Sequence, residues 1–275
     1  MSYKTILVHI DAGDRWRARL SMAVRLAQRF EAHLVGLHAL SYIRIPGLAL
    51  PEAGPIFTEV QGMVEARALE AQAEYERLLK QAGVTHAEWR ASREDAAKVV
   101  ALHARYADLV VIGQPDPRRP AGLEPDFAHR VVLSAGRPVL VIPYVGQFDT
   151  IGKQILLAWD ARREAARAAT DSLPLLQAAD KVTVVGVNPN VSLHGEQPGA
   201  DMALYLARHG VRSEISNLHG SDIDAGNQLL SYAADLSADL IVMGAYGHSR
   251  LSEVILGGVT RTLMGSMTVP VLMAH

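Results

Sequence analysis

The sequence contains no cysteine among its 275 residues. This absence excludes disulfide bonds, thiol catalysis and thiolate metal sites, and it fits a reducing compartment. Neither sign of charge dominates, because 27 Lys and Arg residues stand against 29 Asp and Glu residues. The resulting net charge of -2 gives no electrostatic basis for binding nucleic acid or an anionic membrane surface.

Long apolar runs are also missing. No stretch reaches the roughly 18 apolar residues that a membrane-spanning helix needs, and residues 1–8 lead directly into a strand instead of forming a signal peptide. We therefore expect a cytoplasmic protein without a membrane partner. At 49% hydrophobic and 20% charged residues the chain can build folded cores, and its length suits two domains.

Short apolar runs, each typical of a buried parallel strand, recur in the same order in both halves of the chain. The first run of each half ends in aspartate, and the run 107–113 is nearly identical to the run 238–244. The matching pairs are residues 4–11 and 154–160, 34–38 and 182–188, 107–113 and 238–244, and 137–141 and 269–273. This order indicates an internal duplication. We predict one domain over residues 1–145 and a second over residues 152–275.

Amphipathic segments between these runs predict helices over residues 14–30, 58–82, 93–106 and 126–135 of the first half, with a short strand at 87–91. Alternating strands and helices indicate an α/β fold, in which each half forms a Rossmann-like parallel sheet covered by helices on both faces. The apolar loop 41–57 is interpreted as a packed lid, with a partner surface or the mouth of an apolar pocket as alternatives.

Glycines cluster after the apolar run 239–243, at Gly244, Gly247, Gly257 and Gly258. Glycine between a strand and a helix lets the backbone approach an anion, which the first-turn N–H groups and the helix dipole attract. In α/β folds ligands bind beyond the carboxyl ends of the strands. Three strand ends are therefore expected to converge on one crevice, those of Asp160, Val187 and Gly244. A plain helix cap is the alternative role for Asp160.

Four features together resemble the universal stress protein family in its tandem form: the first strand ending in Asp, the Ala-Asp-Leu-Ile-Val-Met-Gly strand, the glycine spacing and the closing Val-Pro-Val-Leu strand. The resemblance covers essentially the whole chain and implies tandem five-stranded domains of the adenine-nucleotide alpha-hydrolase-like fold. Family members often pair their last strands. This implies an intramolecular pseudo-dimer, and a homodimer is a further arrangement.

The resemblance also implies an ATP site in the second half, with Mg as a companion ion. It places Asp160 at the ribose and adenine, and the backbone of Val187 at the adenine. The glycine loop and the following helix start would hold the phosphates, at Gly244, Gly247, Gly257, Gly258, Val259 and Thr260. A carboxylate accepting two hydroxyl groups and the hydroxyl of Thr260 fit these roles chemically.

Two departures from the family pattern matter. ATP-binding members carry Ser or Thr where this chain has Gly258, and the lost hydrogen bond is worth ~0.5–1.5 kcal/mol. In the first half Pro125 and Asp126 stand opposite Gly257 and Gly258, which removes an N–H donor and adds a negative charge. We predict that the first half does not bind ATP and that Asp126 caps a helix.

Three functions are compatible with the sequence: a stress-response or regulatory protein that binds ATP, a slow ATP hydrolase, and a module that binds an apolar small molecule or a protein partner. No Gly-x-x-x-x-Gly-Lys loop is present, and only His248 adjoins the glycine loop as a candidate base, so no catalytic residue is assigned. His9 and Asp11 share a strand face, but a packed histidine is favoured there over a metal ligand.

Overall fold

The computed structural model of the chain describes residues 2–39, 54–118, 123–189, 197–220, 223–247 and 258–275. The strands of the first half are β1 Thr5–Ile10, β2 His33–Ala39, β3 Ala87–Ser92, β4 Leu109–Gly113 and β5 Val139–Ile142. Those of the second half are β6 Gln154–Ala158, β7 Lys181–Val187, β8 Ser213–Leu218, β9 Leu240–Gly244 and β10 Val271–Ala274. The strands alternate with helices, which confirms the α/β class.

The helices of the first half are α1 Trp16–Phe30, α2 Gly54–Ala82, α3 Ala96–Ala104 and α4 Phe127–Ser134. Those of the second half are α5 Arg163–Asp171, α6 Leu173–Gln177, α7 Ala200–Arg208, α8 Ala225–Asp235 and α9 Gly258–Ser266. No helix of the described ranges combines the length and the hydropathy that crossing a bilayer requires.

All ten strands form one sheet in the order β3-β2-β1-β4-β5-β10-β9-β6-β7-β8. Within each half the strands are parallel. The strand order switches sides at the first strand of each half, because β1 lies between β2 and β4, and β6 lies between β7 and β9. The halves join through the antiparallel pair β5 and β10, where Leu272 lies opposite Leu140. If the two domains stood apart, the apolar strands β5 and β10 would be exposed edges. In this sheet they cover each other, as expected for a pseudo-dimer within one chain.

Two hydrophobic layers lie on the two faces of this sheet. Helices α1, α2, α5, α6 and α7 pack on one face, with side chains such as Leu20 and Leu206. Helices α3, α4, α8 and α9 pack on the other face, with side chains such as Phe127 and Leu263. Both faces of each central strand are thus buried, which explains why these strands are continuous apolar runs in the sequence.

Several helix ends differ from the sequence-based expectation. Helix α3 begins at Ala96 because Asp95 caps it, its carboxylate accepting from the N–H of Lys98 at 2.9 Å. Asp126 does precede α4, but its side chain makes no capping hydrogen bond, so that part of the prediction is wrong. Helix α2 starts at Gly54, inside the predicted loop 41–57. Residues 41–53 of that predicted lid lie outside the described residues.

Candidate functional site

The crevice of the second half lies where β6 and β9 end side by side, with Leu157 paired to Val242. Asp160 follows the end of β6, and Gly244 is the last residue of β9. Val187 ends β7, the neighbour of β6 on its other side. The fold thus brings these three residues to the same edge of the sheet, at the point where ligands of α/β proteins bind.

Asp160 presents its carboxylate to solvent, with 58% of the side chain exposed. One carboxylate oxygen accepts a hydrogen bond from the N–H of Arg162 at 3.0 Å, which closes a turn just before α5. The capping position of α5 itself is occupied by Arg162, without a side-chain capping bond. Asp160 therefore does not cap the first turn of α5, which was its alternative role.

Arg162 is a site residue that the sequence analysis missed. Its Nη1 atom donates to the carbonyl oxygen of Gly247 at 3.1 Å, and its Nε atom lies 3.8 Å from Oδ2 of Asp160. The guanidinium therefore bridges the carboxylate and the glycine turn and adds a positive charge between them. The cations close to the glycines along the chain are His248, Arg250 and Arg261, whereas Arg162 precedes Gly247 by 85 residues and so gives no local signal.

Gly244 has a packing reason to be glycine. A Cβ atom at this position would lie 2.5 Å from the backbone nitrogen of Ala165 and 2.6 Å from the carbonyl carbon of Glu164. The first turn of α5 thus rests directly on the end of β9. At Gly247 a Cβ atom would meet the flexible side chain of Arg162 at 3.1 Å, which can move aside. Close approach of a ligand is therefore not needed to explain Gly244.

Gly258 has no such packing reason. It is the exposed first residue of α9, its φ is not positive, and a Cβ atom there would meet no described atom within 4 Å. Among the described residues, none occupies the space in front of the first turn of α9 on this side. Gly257, to which the family resemblance also assigns a phosphate-binding role, lies outside the described residues.

Thr260 is buried beneath the glycine turn, with 3% of its surface exposed. Its hydroxyl oxygen accepts from the N–H of Tyr246 at 3.4 Å, so it supports the main chain of the turn. Val259, beside it, is half-buried. The N–H groups of the first turn of α9 have no partner within the helix, as at any helix start, and they remain the phosphate-facing candidates.

The main chain of Val187 borders the crevice. On the side of β6 the carbonyl of Val185 accepts from Trp159 at 2.9 Å, while on the other side Asn188 donates to Leu218 at 2.9 Å. Peptide groups alternate sides along a parallel strand, so the N–H and C=O of Val187 face the β6 side. Pairing there ends at Ala158 with Val185, which leaves Val187 one step beyond the ladder.

The equivalent crevice of the first half is filled by an ion pair. Asp11 lies 2.7 Å from Nη2 of Arg19, and the two side chains are 7% and 3% exposed. A Cβ atom at Gly113, the residue that ends β4, would lie 2.2 Å from the Nη1 atom of Arg19. Burial raises the pKa of Asp11, but the guanidinium of Arg19 and His9 more than offset it, so the pKa is lowered overall. Asp11 is therefore ionised and committed to Arg19.

His9 is fully buried beside this pair. Its Nε2 atom lies 2.9 Å from the carbonyl oxygen of Ala39, and its Nδ1 atom has no hydrogen-bond partner. Burial lowers the pKa of His9 to about 4, although Asp11 opposes the shift. The alternative of a metal site at His9 and Asp11 finds no support, since the part of the chain described here has no group of three His, Asp or Glu side chains suited to a metal ion.

Known proteins of similar sequence and structure share this architecture in part or in full. Universal stress protein Slr1230 of Synechocystis sp. is 31% identical over 147 residues, which is 52% of this chain and 48% of that protein, so the match spans about half of the relative. A universal stress protein from Archaeoglobus fulgidus DSM 4304 superimposes with a TM-score of 0.70 at 15% identity, covering 98% of this chain and 95% of that one. At this identity the likeness shows the fold.

A universal stress protein solved in complex with cAMP is 23% identical, with a TM-score of 0.35, over 51% of this chain and 97% of its own. The sequence itself matches the model of the Universal stress protein family twice, over residues 2–143 and over residues 152–275. These two matches cover nearly the whole chain and coincide with the two halves of the sheet. The chain therefore belongs to the Universal stress protein family and carries one family domain in each half.

Proposed function

We propose that the protein is a stress-response or regulatory protein that binds ATP in the crevice of its second half. The observation that carries this proposal is the contrast between two equivalent carboxylates. Asp11 is buried in an ion pair with Arg19, whereas Asp160 is 58% exposed at the same place in the repeat. Only the second half thus offers a carboxylate to a ligand. The cytoplasm, which the absence of cysteine fits, is the proposed location.

The residues around Asp160 fit an adenine nucleotide. The carboxylate can accept the two ribose hydroxyls, and the main chain of Val187 can pair with the edge of the adenine. The open first turn of α9 at Gly258 offers N–H groups and the positive end of the helix dipole to phosphate. Arg162 adds a guanidinium, which suits phosphate oxygens. Magnesium would enter with the phosphates, because it keeps most of its water ligands.

Binding is proposed here without catalysis. Glu164 is the buried carboxylate nearest the glycine turn, and it is paired with Arg163. Glu164 is therefore committed to an ion pair, and no residue of the turn is assigned a catalytic role. His248 lies outside the described residues. Any hydrolysis of ATP is therefore expected to be slow.

The direct test is isothermal titration calorimetry of the full chain with magnesium-ATP. We expect one site per chain, and we expect Asp160→Asn to weaken binding about 10- to 150-fold, because a hydrogen bond to a charged group contributes ~1.5–3 kcal/mol. Asp126→Asn, a matched change in the first half, should leave the affinity unaltered. Absence of heat, together with no competition against a fluorescent ATP analogue, would refute the proposal.

A second test restores the hydroxyl that the family pattern places after the third glycine. Gly258→Ser should strengthen ATP binding about 2- to 12-fold, the equivalent of one neutral hydrogen bond. No described atom would lie within 4 Å of the Cβ of this serine. Gly258→Ala is the matched control, since it adds the carbon without the hydroxyl. Equal affinities of the Ser and Ala variants would show that phosphate does not reach this position.

A further inference from the structure

Tyr246 occupies an unusual place in the glycine turn. It lies between Gly244 and Gly247, and its φ of 61° puts a large side chain in the left-handed region. Bulky residues seldom adopt this conformation, which persists only where surrounding contacts hold it. The contacts of Tyr246 therefore indicate what fixes the shape of the turn.

Three other parts of the chain hold Tyr246 and its neighbour. The hydroxyl of Tyr246 is hydrogen-bonded to Nδ1 of His129, which lies on α4 of the first half. The N–H of Tyr246 donates to Thr260 on α9, and Nδ1 of His275 lies 3.0 Å from the carbonyl oxygen of Ala245. The ring of Tyr246 meets those of His129 and His275 edge-on, with centroids 6.0 Å and 6.1 Å apart. The turn is thus fixed from both halves.

The topology explains why a helix of the first half reaches this turn. Helix α4 leads into β5, and β5 runs antiparallel to β10, with Val139 opposite Met273. The start of β5 therefore lies beside the end of β10. That end is paired with the end of β9, Ala274 opposite Gly244. Helix α4 thus runs back toward the carboxyl edge of the second half, where the glycine turn begins.

A second hydrogen bond between the two halves holds helix α9, which follows the glycine residues. The side chain of Gln114, 7% exposed, donates from Nε2 to the carbonyl of Met264 on α9 at 2.7 Å. Its Oε1 accepts from the N–H of Tyr144 at 3.2 Å, so Gln114 is itself held by the first half. The first half therefore contacts both the turn before the stretch 248–257 and the helix after it.

We propose that Tyr246 is a positioning residue for the nucleotide site and that His129 of the first half holds it in place. The first half, whose own crevice is filled by Arg19, then sets the geometry of the phosphate-binding end of the second half. This inference rests on the proposed ATP site. Adenine and ribose would lie toward Asp160 and Val187. The hydrogen bond between His129 and Tyr246 would therefore affect the binding of the phosphates and not of the nucleoside.

The test compares ATP with adenosine in calorimetry on the full chain. Tyr246→Phe and His129→Ala should each weaken ATP binding about 2- to 12-fold, the range of one neutral hydrogen bond. The double variant should be no weaker than the single ones, because both remove the same bond. Adenosine affinity should stay unchanged in all three. Tyr205→Phe, which removes a hydroxyl bonded to Thr170 at 3.2 Å on the surface, is the control.

The possible outcomes separate the two proposals. Wild-type affinity for ATP in Tyr246→Phe would overturn the inference and leave the ATP site standing. Equal losses for ATP and adenosine, accompanied by a lower melting temperature, would show a general structural role and also overturn it. A wild-type protein that binds neither ligand would overturn the ATP site, and the inference with it.

Discussion

Replacing Asp11 with Asn is expected to lower the free energy of unfolding by about 3–5 kcal/mol, whereas Asp160→Asn should change it by less than about 1 kcal/mol. The two residues end equivalent strands, but Asp11 is buried against Arg19 at 2.7 Å and Asp160 is exposed. Removing one partner of a buried pair leaves the other charge uncompensated. Chemical denaturation followed by circular dichroism at pH 7 measures both changes.

Two controls sharpen this comparison. Arg19→Met should cost about as much as Asp11→Asn, and the double variant should cost less than the sum, because the two side chains interact directly. Glu65→Gln breaks the surface pair with Arg93, whose side chains are 52% and 63% exposed, and should cost less than about 1 kcal/mol. Wild-type stability of Asp11→Asn would contradict the importance of the ion pair.

Acid is expected to destabilise the protein by about 3 kcal/mol through His9 alone as the pH falls from 6.5 to 4. The pKa of His9 is lowered from 6.5 to about 4 by burial, with Arg19 adding to the shift and Asp11 opposing it. Between these pH values the unfolded chain takes up a proton that the folded protein does not. The stabilisation is therefore complete above pH 6.5 and is lost toward pH 4.

The physical reason lies in the hydrogen bonds of the ring. A neutral imidazole can donate from Nε2 to Ala39, while a proton on the unpartnered Nδ1 would bury both a charge and an unsatisfied donor. Free energies of unfolding measured at several pH values should fall less steeply in His9→Gln than in the wild type. Replacing the ring also changes the packing, which lowers the free energy of unfolding by the same amount at every pH. The informative quantity is therefore the slope of that free energy against pH. Parallel slopes would rule out this role for His9.

The pattern of apolar runs was sufficient to predict the α/β fold and the repeat, because strands buried on both faces are continuous apolar segments. The filled crevice of the first half was not predicted, although a signal existed. Arg19 lies on the buried stripe of α1, between Trp16 and Ala23. A charged residue on such a stripe needs a buried partner, and Asp11 is only 8 residues away.

The candidate site was predictable where it depends on strand ends, and less so where it depends on contacts between distant segments. The meeting of Asp160, Val187 and Gly244 follows from the general geometry of parallel sheets. The bond from Arg162 to Gly247 spans 85 residues and the bond from Tyr246 to His129 spans 117, so no local pattern could reveal them. The sequence prediction assigned Gly244 to a ligand, whereas its backbone contact with α5 explains why the residue is glycine.

The outermost strands of the ten-stranded sheet, β3 and β8, each carry charged side chains that reach solvent, although Ile215 on β8 is also 43% exposed. Glu88 and Arg90 on β3 are 40% and 42% exposed, and Glu214 on β8 is 68% exposed. Charged edges disfavour the addition of a strand from another molecule. With the apolar β5 and β10 paired at the centre, the outer ends of the sheet are its unpaired edges, and the charges there disfavour the addition of a further strand.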